Sequence, residues 1–207
     1  MTTPIVTDKA KPFATKAAFV GDAEIFIVDD FLADPNAVRN DALQADFIDW
    51  QGHDGQVYKR VCLKPVPGLQ EAIEGVYGPV EMFGQGYRLN FAGEQPNQSI
   101  HSDLGWGTHA AVIYLCDGTG GTAFWQHSKT GASRIEVGDR ELFEAIGSDW
   151  ELESAWSMTG LAKLAYNRAV LYDNALFHSR YPFEAFGTDE HDGRLIAVAF
   201  FTPEKRK

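Results

Sequence analysis

The spacing of apolar residues along the chain changes at Gly78. Before it, Ala23-Glu24-Ile25-Phe26-Ile27-Val28 forms a short β-type run, and two helical patterns follow. The first opens at Asp34-Pro35, an N-cap aspartate with proline in the first turn. It is expected to run from Pro35 to about Ala45, with Val38, Ala42 and Leu43 on its apolar face. The second, over 68–77, sets Leu69, Ile73 and Val76 at helical spacing. After Gly78 the apolar residues come in short runs divided by Gly, Asn, Asp and Pro, at 81–91, 110–116, 122–125, 169–172 and 195–201. Many short strands with glycine-rich turns predict a sandwich or barrel-like β fold. A charged insertion at about 126–168 interrupts the pattern and carries two expected helical pieces, 139–146 and 149–158.

A chain of 207 residues is most naturally one domain with a real core. The expected organisation is a loose N-terminal arm over 1–18 and a single domain over 19–207. Hydrophobic content of 44% with 13% aromatics is that of a globular protein and argues against disorder. The formal net charge of −11 opposes binding to nucleic-acid phosphates. The one basic cluster, Lys205-Arg206-Lys207, reads as a solvated chain end. Cys62 and Cys116 form neither a disulfide framework nor a zinc-finger spacing, and Cys116 in its apolar run reads as a buried free thiol. The N-terminal residues lack the layout of a signal peptide, and no apolar stretch reaches helix-spanning length. These features predict a reduced cytoplasmic protein with no nucleic-acid or membrane partner; its oligomeric state has no signature in the sequence.

The chemistry-bearing residues are His101-Ser102-Asp103, then His178 far downstream, then Arg194. Two imidazoles and one carboxylate occupy one face of an Fe(II) octahedron and leave three positions open for reactants. In extended chain, residues i and i+2 share a face, so His101 and Asp103 point together while Ser102 points away. The triplet alone reads equally well as a surface turn. Arg194 opens the most apolar strand of the chain, where a buried guanidinium needs a partner. A carboxylate suits its planar fork, and a dicarboxylate co-substrate would supply one. Arg180, two residues beyond His178, competes for that role. The other histidines, His53, His109, His127 and His191, have no partners at ligand spacing.

Over roughly 87–201 the chain resembles the iron(II)- and 2-oxoglutarate-dependent dioxygenases, and more narrowly their prolyl-4-hydroxylase-like branch. The resemblance rests on five pieces in order. They are His101-Ser102-Asp103, the following strand Val112-Ile113-Tyr114-Leu115, the turn and strand Gly120-Gly121-Thr122-Ala123-Phe124, His178, and Gly193-Arg194 entering the last strand. The opening Val28-Asp29-Asp30-Phe31-Leu32 is similar as well. The resemblance implies a double-stranded β-helix, or jelly-roll, with N-terminal helices packed on one sheet. It implies His101, Asp103 and His178 as ligands of Fe(II), with 2-oxoglutarate and O₂ as co-substrates. Arg194 would hold the distal carboxylate of 2-oxoglutarate, and Tyr114 falls where the family often has a tyrosine bonded to that same group. Phe91 stands where relatives often carry a tyrosine, a contact that Asn90 or Tyr87 would have to replace. Ile196 stands where some carry serine.

The implied activity is hydroxylation of a peptide side chain, an amino acid or a small metabolite. Asp103 favours this over halogenation, which uses a small residue there. A zinc hydrolase using the same His-Asp-His set is the rival enzyme reading, and a non-catalytic jelly-roll binding module is the third. Trp150 and Trp156 make the insertion a candidate lid, with one or both expected at the site mouth, or alternatively docking the segment onto the sandwich.

Overall fold

The computed structural model describes residues 15–20, 23–52, 55–94 and 100–204. Among them the chain forms two antiparallel sheets that face each other across a cavity. Strand β1 (Thr15–Val20) pairs with β2 (Ala23–Val28). Strand structure thus begins inside the segment expected to be a loose arm, while residues 1–14 lie outside the described set. Helix α1 (Pro35–Leu43) follows, with the Asp34 carboxylate accepting from the Ala37 N–H at 2.9 Å. It stops at Leu43, short of the expected Ala45. A hairpin absent from the sequence reading comes next, β3 (Ile48–Gln51) with β4 (Val57–Cys62). Its strands are short, β3 lies at the sheet edge, and the apolar residues Ile48, Trp50, Val57 and Tyr58 stay partly or largely exposed, so burial sets no continuous apolar run here. Helix α2 (Leu69–Tyr77) leads into β5 (Val80–Asn90).

The remaining strands fall close to the apolar runs. They are β6 (His109–Tyr114), β7 (Gly121–His127), β8 (Trp156–Lys163), β9 (Ala169–Asp173), β10 (His178–Tyr181) and β11 (Arg194–Pro203). The large sheet runs β1-β2-β9-β6-β11-β5-β4-β3 and the small one β10-β7-β8.

The segment 126–168 is less of an insertion than its charge suggests. Helix α3 (Arg140–Ile146) stands where a helical piece was expected. Residues 149–158 are no α-helix: two 3₁₀ turns, Gly147–Glu151 and Glu153–Ala155, deliver the chain to β8. The reason is tertiary. β7 needs a partner on its free side, and Trp156 pairs opposite His127 while its indole N–H donates to Asp149 O at 2.8 Å. Trp150, Trp156 and Phe177 then interlock, with ring centroids 4.9–5.7 Å apart. They form a second apolar cluster with Ile146, Ala123 and Ile135. Neither tryptophan lines the cavity, so they dock the segment instead of covering the site mouth.

Strand β5 shows how one sequence serves both faces of the large sheet. Tyr87 points outward, fully buried, and its hydroxyl donates to the Asp41 carboxylate of α1 at 2.7 Å. Arg88, one residue on, faces the cavity. Val38 and Ala42 of α1 and Leu69 and Ile73 of α2 are buried in the same core as Leu89, Ile113, Ala197 and Ala199. Gly86 allows β4 to close against β5, because a Cβ there would stand 2.2 Å from the Cys62 carbonyl oxygen. Both cysteines are free and buried. None of the described helices is long and apolar enough to cross a membrane.

Candidate metal centre and its cavity

The loop after β5 and the start of β10 meet in one short bridge. His101 N–H donates to His178 O at 3.0 Å, and His178 N–H returns to His101 O at 2.8 Å. This antiparallel pair brings together residues far apart in sequence, with imidazole centroids 4.5 Å apart. Asp103 is fixed by its own N–H donating to Asn174 O at 2.9 Å. Asn174, almost fully buried just before β10, also donates through its side-chain amide to Trp106 O at 3.0 Å. The backbone alone therefore sets the three side chains together.

Their ligand atoms all lie within 4.8 Å of one another. Asp103 Oδ2 is 3.1 Å from His178 Nε2, and Oδ1 is 3.6 Å from His101 Nε2. Ligands held about 2.0–2.2 Å from one ion take separations of this order. His178 Nδ1 lies 2.9 Å from Leu176 O, a carbonyl that fixes a proton on Nδ1 and leaves Nε2 as the nitrogen facing Asp103. Burial raises the Asp103 pKa, but His178, by charge and hydrogen bond, with His101 and Arg88, outweighs it and holds the carboxyl at about 2. Burial likewise opposes protonation of His178, and the Asp103 carboxylate overrides it, so the imidazole pKa is raised. Two nitrogens and an anionic oxygen are the donor set for a divalent cation.

A cavity of about 220 Å³ opens beside the three residues. Its large-sheet wall carries Arg194, Ile196, Val198 and Phe200 from β11 and Gly84, Gly86 and Arg88 from β5. Thr122 of β7 and Arg180 of β10 face them from the small sheet. Arg194 is 5% exposed, its guanidinium carbon 5.7 Å from the Tyr114 ring centroid. Tyr114 itself lies behind the wall: its hydroxyl is hydrogen-bonded to Thr122 Oγ1 at 2.8 Å and its pKa is raised by burial. Asn90 sits opposite Arg194 in register, but its amide donates to Glu94 Oε2 at 3.3 Å. Arg180 lines the cavity and donates to the carbonyl oxygens of Phe183 and Glu94. Burial, with Arg194 and Arg88 nearby, lowers its pKa to about 9, so it remains charged at neutral pH.

His127 is fully buried between Thr130 and Asp149, a structural histidine, and His191 is exposed. His53 lies outside the described residues. Arg88 and the aromatic rim of Trp50, Tyr58 and Trp106 were not singled out from the sequence. Arg88 carried a usable signal, because an arginine between Tyr87 and Leu89 in a buried strand raises the same question as Arg194.

Solved structures share this architecture. AviO1 from Streptomyces viridochromogenes Tue57 superposes with a TM-score of 0.53 at 14% identity, over 86% of this chain and 88% of its own. The non-heme alpha ketoglutarate dependent epimerase SnoN from nogalamycin biosynthesis gives 0.54 at 15%, over 86% and 75%. HygX from Streptomyces hygroscopicus, solved with nickel and 2-oxoglutarate bound, gives 0.52 at 13%, over 86% and 82%. At these identities the likeness is one of fold, and the two antiparallel sheets are consistent with a jelly-roll-like arrangement. No curated protein matches the chain. The profile of a family of unknown function matches residues 95–201, a stretch holding the whole His-Asp-His set and Arg194, and on that match the chain belongs to the DUF6445 family.

Proposed function

We propose that this protein is a non-haem Fe(II)- and 2-oxoglutarate-dependent oxygenase that hydroxylates a small molecule or a peptide side chain. The observation that carries the reading is the convergence of His101, Asp103 and His178 on a cavity walled by a buried arginine, Arg194. The superposed HygX, with nickel and 2-oxoglutarate bound, and SnoN, an alpha ketoglutarate dependent epimerase, support the same chemistry. The narrower kinship with prolyl-4-hydroxylase-like enzymes rests on the sequence motifs.

His101, Asp103 and His178 would hold the iron, which when loaded with 2-oxoglutarate and O₂ supplies oxidative decarboxylation coupled to attack on a C–H bond. The work of the chain is binding and exclusion. Arg194 offers a charge-assisted, bidentate site for the distal carboxylate of 2-oxoglutarate. Its burial strengthens that pairing, because water competes less in a closed site. Val112, Ile196, Val198 and Tyr172 give the cavity apolar walls that keep water from the reacting atoms. The Leu176 carbonyl holds His178 in the ligating tautomer throughout. A zinc hydrolase would have no use for a carboxylate clamp on the last strand. A cytoplasmic setting with neither nucleic acid nor membrane as partner belongs to the same reading, and the formal net charge of −11 supports its nucleic-acid part.

The test is succinate release from 2-oxoglutarate by the iron-loaded protein across a panel of peptides, amino acids and metabolites. Release is expected to rise with the true substrate and to vanish in Asp103→Ala and His178→Ala. Undiminished release in either variant would remove the His-Asp-His set from the mechanism.

A further inference from the structure

Three guanidinium groups enter the cavity, and one dicarboxylate accounts for only one of them. Arg194 is used by the proposed co-substrate. Arg180 is engaged by the carbonyl oxygens of Phe183 and Glu94. Arg88 differs from both. Its Nε is buried and makes no hydrogen bond among the described residues. Its guanidinium carbon lies 5.2 Å from the Tyr58 ring centroid, a contact that gives Nε no acceptor. Among the described residues no carboxylate forms an ion pair with it. Glu94 is taken by Arg60 and also receives the Asn90 amide. Burial and the neighbouring Arg194 both weaken the hold of Arg88 on its proton, as expected of a cation awaiting an anion.

The strand register places Arg88 between two different surroundings. It lies opposite Ile196, two residues along β11 from Arg194, or about 7 Å at the rise of a strand. Continuing the same way, the wall becomes apolar, with Val198 opposite Gly86 and Phe200 opposite Gly84. The missing side chain at Gly84 leaves room in front of β5. Trp106 leans into it, 5.8 Å from the Phe200 ring, and Trp50 follows at 6.3 Å from Trp106.

Charge argues the same way. The wall carries three arginines against the single Asp103 carboxylate. A divalent metal adds two positive charges and 2-oxoglutarate removes two, so a positive surplus persists inside a chain whose net charge is −11. A low-dielectric cleft of one sign concentrates ligands of the other.

We propose that Arg88 anchors an acidic group of the substrate, a carboxylate or a phosphate monoester, whose ring-bearing apolar body lies along Phe200, Trp106 and Trp50. The inference rests on the proposed function, since it treats Arg194 as taken by 2-oxoglutarate.

Calorimetry on the full chain, loaded with Zn(II) to prevent turnover and saturated with 2-oxoglutarate, tests it. The probes are 3-phenylpropionate, 3-phenylpropyl phosphate and neutral 3-phenylpropanamide. At least one anionic probe should bind about tenfold or more tighter than the amide, and the tighter anion identifies the acidic group. Arg88→Gln should erase that preference while leaving 2-oxoglutarate affinity within about threefold, and Arg88→Lys should restore part of it. The proposal is overturned if the amide matches both anions or if no probe binds at millimolar concentration. It is also overturned if Arg88→Gln weakens 2-oxoglutarate and spares the anionic probes. A wild-type protein that fails to bind 2-oxoglutarate, yet still prefers anions through Arg88, would sink the oxygenase reading and leave the anchor standing.

Discussion

Arg194 and Tyr114 differ in what their polar atoms already touch, and that difference predicts their mutants. The Arg194 guanidinium is buried in the cavity wall, 5.7 Å from the Tyr114 ring centroid. Arg194→Ala should weaken 2-oxoglutarate binding by roughly ten- to a hundredfold, the worth of a charge-assisted pair of ~1.5–3 kcal/mol. Metal affinity, measured by competition with a chelator, should stay nearly unchanged. Arg180→Ala should not reproduce that loss, because its Nε and one terminal nitrogen already donate to carbonyl oxygens. If it does so while Arg194→Ala is silent, the clamp is Arg180. Tyr114 holds Thr122 instead of an open position, so Tyr114→Phe should cost about 1 kcal/mol of stability in urea unfolding and leave 2-oxoglutarate affinity almost untouched.

At the scale of elements, the segment between β7 and β9 behaves as part of the sandwich. Trp156 is buried against His127 and Phe177 and opens a strand paired along β7. Trp156→Ala should therefore destabilise the fold by about 3–5 kcal/mol, the usual cost of emptying a large aromatic site. The folded fraction should keep its metal affinity. Normal stability with impaired substrate coupling would instead restore the idea of a lid. β4 is held against β5 by the absence of a side chain at Gly86. Gly86→Ala should cost roughly 1–3 kcal/mol as the strands are forced apart, read as a lower midpoint in denaturant. Tyr58, carried on β4, is part of the Arg88 surroundings, so looser pairing should also blunt anion discrimination.

For the whole molecule, the metal should act as a staple between segments distant in sequence. An ion bound only by the folded state stabilises it by about 2.7 kcal/mol at a hundredfold excess over its dissociation constant. In a domain of this size that raises the melting temperature by roughly 5–10 °C. His178→Ala should abolish the rise, and an equal rise in that variant would place the ion elsewhere. Acid should act through a different joint. Asp41 of α1 meets Lys64 Nζ at 2.8 Å and accepts from Tyr87, and the Lys64 hydrogen bond leads the causes that lower its pKa. A lowered folded-state pKa means the contribution is complete above the unfolded value of about 3.9 and is lost as pH falls through the folded one. Asp41→Asn should thus melt below wild type at pH 6, by up to about 1 kcal/mol for so exposed a pair. The gap should close on approaching pH 3, and a gap that widens there would contradict the assignment.

Local pattern sufficed wherever a segment's own neighbours dictate its state. Alternation and apolar runs located β5, β6, β7, β9 and β11 to within a few residues, and Asp34-Pro35 marked the start of α1, because caps and pleats are short-range physics. The His-x-Asp spacing, the later histidine and the arginine entering an apolar strand were visible for the same reason: each is unusual in its own surroundings. Tertiary structure decided what depends on distant partners. Residues 149–158 gave up a helical pattern because β7 needed β8 beside it. The His101–His178 bridge closes a loop of more than seventy residues that no local signal announces. Which arginine faces which anion, and whether Tyr114 or Asn90 has a free donor, follow from register and packing across two sheets. Those are set by the non-local pairing of strands, whereas a sequence displays only the preferences of each strand alone.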